Sequence, residues 1–288
     1  MMKDEIERRS NILLEMCMDE STFDLALESV RENKCQRLEV CSELGAEGFT
    51  PHEEMVLACL SEPLFEHTNL NIMIRPKLHT KFGTSAASSN TMIDSFCYND
   101  EAIAIMKTQI RKMKKLLMQE KDKVKNRQIG FVLGCIERRM NGKITINVNA
   151  LKELIGVIQE PCKDLHHTQH RFSITFHKAF DLLSDQIESV TILAELGIDR
   201  ILTSLNFECE DLKGKAVNSI QQFMNDNDNT ELLQRFLKTV SDVPDTSKVI
   251  LLIGGGVREN NYLEIMQFFE LFPKVQFELH SSTPFKIK

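Results

Sequence analysis

The chain has no apolar run near the ~20 residues that a membrane-spanning helix requires, which argues against a membrane protein. Its 288 residues carry a net charge of -7, so it lacks the positive surplus that gives general affinity for nucleic acid or anionic lipid. The opening stretch, Met1 to Ser10, is charged and lacks the apolar core of a signal peptide, so secretion is not expected. Eight cysteines, at positions 17, 35, 41, 59, 97, 135, 162 and 209, include no C-x-x-C pair. This excludes structural-zinc spacing, and in a large non-secreted chain it argues against a disulfide framework. The default role for each cysteine is a buried thiol that packs as a small hydrophobe.

What is present is a regular alternation of short apolar runs with longer amphipathic stretches. Strands are expected at 13–18, 36–41, 71–75, 129–133, 172–176, 200–203, 248–253 and 275–279. Between the first two, 21–32 reads as a helix, with Ser21 as N-cap and Phe23, Leu27 and Val30 on one face. Segment 185–196 reads the same way, capped by Ser184 or Asp185 and ended by Gly197. Eight strands alternating with helices point to an α/β fold, a (β/α)8 TIM barrel. Residues 1–12 form an N-terminal extension, and 13–288 a single barrel domain with a loop insertion at about 77–99. A solvated helix end is expected at 119–128, and helices around the polar run Asn225 to Asn229 within 206–247.

Barrels gather functional residues at the carboxyl ends of their strands. The first two strands share one pattern, Leu14-Glu15-Met16-Cys17 and Leu38-Glu39-Val40-Cys41. Side chains alternate faces along a strand, so Glu15 shares a face with Cys17 and Glu39 with Cys41. Were the two strands in matching register, two thiols and two carboxylates would meet on one surface. Two convergent soft ligands suit a low-coordinate soft ion such as Cu(I) better than tetrahedral zinc. Further strand ends bring Arg75 and His177, the latter with Asp181 four residues on. These permit a different chemistry, in which Arg75 orients an anionic group and a carboxylate or His177 moves protons. Salt-bridged packing of Glu15 and Glu39 against Arg75 would account for the same residues without any chemistry. The run Gly254-Gly255-Gly256 can present backbone N–H groups to a phosphate, or simply make a tight turn.

With these residues assembled, the chain resembles the CutC family of copper homeostasis proteins. The matching stretches are LLEMCMDES (13–21), RLEVCSELGAEGFTP (37–51), IMIRP (72–76), ITFHKAFDL (174–182), GIDRILTS (197–204) and IGGGVREN (253–260). The resemblance implies a TIM barrel in an oligomeric, cytoplasmic protein, with a Cu(I) site at Cys17 and Cys41. The family's strand-end Glu, Arg and His match Glu15, Glu39, Arg75 and His177. Departures from the pattern are Lys77-Leu78-His79-Thr80 after IMIRP, Phe49 in place of glycine, Ile253 in place of proline, and His280-Ser281-Ser282 after strand eight. With the chain stopping at Lys288, the last helix is expected to be missing or shortened, baring part of the barrel wall unless another segment or a partner covers it.

Three functions are therefore weighed. The first is a copper homeostasis protein that binds Cu(I) through Cys17 and Cys41, as a cytoplasmic dimer or tetramer with the nucleus as a second compartment. The second is a barrel enzyme of unknown substrate that uses Glu15, Glu39, Arg75 and His177. The third is a scaffold that has kept the fold and lost the chemistry.

Overall fold

Eight runs of alternating apolar residues form parallel strands that close into a barrel. The computed structural model describes residues 12–46, 48–77, 93–161, 171–205 and 230–287. In chain order the strands are β1 (Leu14–Met18), β2 (Arg37–Val40), β3 (Asn69–Met73), β4 (Ile129–Leu133), β5 (Ile136–Arg138), β6 (Ile144–Ile146), β7 (Ser173–Phe176), β8 (Arg200–Thr203), β9 (Ile250–Ile253) and β10 (Phe277–Ser281). The barrel runs β1, β2, β3, β4, β7, β8, β9, β10 and back to β1, while β5 and β6 pair separately as an antiparallel hairpin. The hairpin was not expected from sequence, because two three-residue strands carry no measurable alternation.

The helices are α1 (Phe23–Arg31), α2 (Glu53–Ser61), α3 (Asp100–Gln119), α4 (Lys121–Val124), α5 (Val148–Gln159), α6 (Gln186–Glu195), α7 (Thr230–Asp242) and α8 (Tyr262–Glu270). The expected α6 boundaries hold: the Asp185 side chain accepts from Glu188 N–H at 2.9 Å, and Gly197 turns the chain out at φ +78°. Ser184 instead accepts from the backbone of Ile144, tying α6 to the hairpin. Before α1, Asp19 rather than Ser21 is the cap, and a short 3-10 turn over Glu20–Thr22 intervenes. Of the expected insertion, 78–92 lies outside the described residues, as do 225–229 and nearly all of the N-terminal extension. The remainder enters a 3-10 turn at Asp94–Phe96, and Asn99 caps α3.

The core lies between barrel and helices. Leu14, Met16, Leu38, Val40, Ile72, Phe131, Ile174, Ile201, Leu251 and Leu279 point outward and pack with helix residues such as Met106, Ile110, Leu154 and Leu193. No helix follows β10 among the described residues. The wall is nonetheless covered: Leu14 and Leu279 are fully buried, and Phe285 from the closing segment stacks on Tyr262 of α8 at 4.9 Å.

The opposite strand faces look into the barrel, and its floor is charged. Arg37 bridges the carboxylates of Glu15 and Glu278. Arg200 reaches Glu278 at 3.0 Å and Gln128 at 3.2 Å, and Asn71 donates to Glu15 at 2.6 Å. Two guanidinium groups and two carboxylates therefore balance in a space that barrels commonly fill with branched aliphatics. Removing one member of a buried pair leaves the others uncompensated. Arg37→Met is therefore expected to cost about 3–5 kcal/mol of stability, read as a lowered urea midpoint; a midpoint equal to that of the unmodified chain would show that the network contributes nothing.

Candidate functional site

Neighbouring barrel strands are staggered, and the stagger decides which side chains meet. Glu15 lies opposite Arg37, and Cys17 opposite Glu39. Cys41 is one step further up, with its N–H bonded to the Met18 carbonyl. The matching register expected from the repeated Glu-x-Cys pattern is thus displaced by two residues. Displacement by an even number keeps every side chain on its expected face but changes its level. The two cysteines share a facing without forming a pair. Cys41 is fully buried beside Met73 and Val132, and its thiol donates to the Met18 carbonyl at 3.3 Å. Burial, reinforced by the Glu39 carboxylate, pushes that thiol far above its ordinary pKa, so it resists becoming the thiolate that metal ligation needs.

The groups that do converge are Glu15, Glu39 and His280. His280 Nε2 lies 3.3 Å from Glu39 Oε2 and 3.9 Å from Glu15 Oε1. Each residue offers one donor atom, all within 4.8 Å of one another, so the trio could coordinate a metal ion. All three atoms are buried; Glu39 and His280 face each other as an ion pair, and the Glu15 oxygen has no hydrogen-bond partner among the described residues. Two carboxylates and an imidazole are a harder donor set than a thiolate pair and do not suit Cu(I). The expectation of a Cu(I)-binding protein working through Cys17 and Cys41 is therefore corrected: the barrel gathers an acidic and imidazole cluster where a pair of cysteines was expected.

Electrostatics assigns these groups different states. Burial alone would raise the pKa of Glu15, but Arg37, with help from His280 and Arg200, outweighs it and keeps the group ionised. Burial likewise disfavours a charged His280, yet its contacts with Cys17 and Glu39 raise its pKa well above the ordinary value. His280 thus holds a proton beside a carboxylate.

Arg75 and His177 sit at the rim over β3 and β7, both against the Phe96 ring. The Arg75 Cζ is 4.5 Å from the Phe96 centroid and 5.1 Å from that of Phe49, and the His177 ring is 4.6 Å from Phe96. Phe49, where the family pattern has glycine, therefore helps to hold the guanidinium. Arg75 also donates to the Gly48 carbonyl and to Ser95 Oγ, each at 3.3 Å. It is not the counter-ion of Glu15, a place taken by Arg37. Nor does Asp181 serve His177. The Asp181 carboxylate accepts from Thr203 Oγ at 2.6 Å and from Ser204 N–H at 3.0 Å.

The glycine run makes a turn with a steric reason for its composition. A Cβ on Gly254 would come within 2.8 Å of Leu202, and one on Gly255 within 2.8 Å of Ser204, where φ is also +79°. The following helix, α8, begins only at Tyr262, six residues beyond Gly256.

Eight parallel strands in a closed ring, with ionisable side chains gathered toward their carboxyl ends, define a TIM-barrel protein with a candidate site at the barrel mouth. Within that class the chain belongs to the CutC family, whose model matches residues 12–282. The human copper homeostasis protein cutC homolog is 24% identical over 261 residues, spanning 90% of this chain and 70% of that protein. A CutC family protein of Caulobacter vibrioides is 24% identical over 257 residues, covering 89% of this chain and 77% of its own. The crystal structure of CutC from Streptococcus agalactiae shares the fold, with a TM-score of 0.59 at 22% identity, covering 96% of this chain and 100% of that one.

Sequence reasoning missed the roles of Arg37 and His280. Parity held the signal for both: Arg37-x-Glu39 and Glu278-x-His280 place polar groups on the inward face. Because Cys41 is buried and held as a thiol, it is expected to stay unlabelled by iodoacetamide in the native protein and to label fully in urea, followed by peptide mass spectrometry. Rapid native labelling of Cys41 would contradict the burial described here.

Proposed function

We propose that this chain is a barrel enzyme that transfers protons at the mouth of the barrel, with His280 as general acid and Glu39 as general base. Glu15 supports the pair from below, and Arg75 and His177 orient an anionic or carbonyl group of the substrate from the rim. The observation that carries this reading is the convergence of three buried side-chain atoms, one each from Glu15, Glu39 and His280, in which Glu39 and His280 meet as an ion pair at 3.3 Å and the Glu15 oxygen has no hydrogen bond among the described residues. A buried carboxylate oxygen without a hydrogen bond costs about 1–3 kcal/mol, and such groups, like buried ion pairs with strongly shifted protonation, gather at functional sites. A paired carboxylate and protonated imidazole also supply both halves of an acid–base exchange.

The reading is tested by incubating the protein with a small-molecule cell extract and following depletion by untargeted mass spectrometry. At least one compound is expected to be consumed, and Glu39→Gln should slow its consumption by about 10²–10⁴-fold. Equal consumption by the variant, or none by the unmodified chain, overturns the assignment.

A second reading rests on the same three atoms. Their carboxylate and imidazole donors fit a divalent cation such as Zn²⁺ or Mn²⁺, held at the site to polarise a substrate oxygen. On this reading Zn²⁺ or Mn²⁺ raises the Tm of the chain, and Glu39→Gln abolishes the shift. An equal shift in both proteins would place the cation elsewhere.

A further inference from the structure

The rim histidine, His177, has a hydrogen-bonding state that its surroundings define. His177 Nδ1 accepts a hydrogen bond from Ala179 N–H at 3.0 Å. An accepting nitrogen carries no proton, so the neutral ring must hold its proton on Nε2. Burial, with Arg75 close by, pushes the pKa of His177 down to about 3, so the ring is neutral throughout the working range. The Nε2–H is then a hydrogen-bond donor, yet Nε2 is buried and finds no acceptor among the described residues.

The ring cannot turn away to relieve this. Phe96 packs against it with tilted rings, centroids 4.6 Å apart, and Gly134 lies so close that a Cβ there would approach the ring carbon Cε1 to 2.5 Å. The packing therefore fixes both the ring and its tautomer. The same Phe96 ring carries the Arg75 guanidinium at 4.5 Å, which brings a positive charge to the neighbourhood of the stranded donor. A neutral, fixed N–H beside a guanidinium suits an oxygen atom that carries negative charge.

We propose that His177 Nε2–H and Arg75 form an oxyanion subsite that takes a carboxylate or phosphate oxygen of the substrate, with His177 acting as a neutral donor and never as a proton carrier. This rests on the enzyme reading but divides its labour: proton transfer belongs to Glu39 and His280, and anchoring belongs to the rim. The substrate class is accordingly a small anion whose charged oxygen binds at β3 and β7 while its reacting atom lies toward β1, β2 and β10.

Binding rather than turnover tests the subsite, so its failure is separable from failure of the acid–base assignment. The full chain labelled with ¹⁵N-histidine is titrated by NMR with inorganic phosphate and, separately, with malonate, near pH 6. The expected results are a neutral His177 with its proton on Nε2 and a shift of that resonance with one of the two anions, which also tells phosphate from carboxylate. His177→Phe should weaken that anion about 10- to 100-fold, the loss of one hydrogen bond to a charged group, whereas His177→Gln, which keeps an N–H donor, should retain most of the affinity. A charged His177 at this pH, no response to either anion, or unchanged affinity in His177→Phe would each overturn the proposal. The first two outcomes are read on the unmodified chain and do not depend on a variant folding.

Discussion

The charge balance on the barrel floor is the constraint on which the rest depends. Arg37 is among the largest fully buried side chains, and it is placed there only because Glu15 and Glu278 meet it from two neighbouring strands. A buried guanidinium without partners would be prohibitive, so the register of β1 and β10 against β2 is fixed by electrostatics as well as by packing. Glu15 consequently has two ends with different duties. One oxygen is committed to Arg37 and Asn71, and the other faces upward toward His280. The site is built on top of the network that specifies the fold.

Among the described residues the mouth contains two histidines in opposite states, and their surroundings account for the difference. His280 lies among Glu39, Glu15 and Cys17, and the negative charge outweighs its burial. His177 lies beside Arg75, with no carboxylate acting on it among the described residues, so burial and positive charge act together. One imidazole holds its proton against its burial, and the other is locked as a neutral ring. Titratable groups whose surroundings push them apart in this way are the general means by which one site keeps two like side chains in different protonation states.

Most of the architecture was legible in the sequence because a period of two in short runs, spaced by amphipathic stretches, is a strong signal. All eight barrel strands were anticipated, with boundaries shifted by one or two residues at most of them; for instance, 71–75 becomes Asn69–Met73. Face assignments followed for the same reason, and Glu15, Glu39, Cys17, Cys41, Arg75 and His177 all came from the correct parity. Level along the barrel axis was not legible, since the stagger between strands is a property of closure and leaves no mark on either strand alone. That is why the cysteines were read as a pair, and why Arg75 rather than Arg37 was taken as the partner of Glu15. His280 was passed over for a related reason: it departs from the family pattern, and its importance arises only from the company that β1 and β2 bring to it.

The two-residue displacement of β2 against β1 has a consequence for how such a site can change over time. Inserting or removing a dipeptide in the segment joining α1 to β2 would leave the inside and outside of the barrel as they are, so the fold's hydrophobic accounting would scarcely register it. A two-residue shift of β2 toward the floor would set Cys41 level with Cys17 and Glu39 level with Glu15, putting a sulfur where an oxygen now stands, but it would also carry Arg37 away from Glu15 and Glu278. The buried charge of Arg37, by holding this register, is what keeps a carboxylate rather than a second thiol level with Cys17.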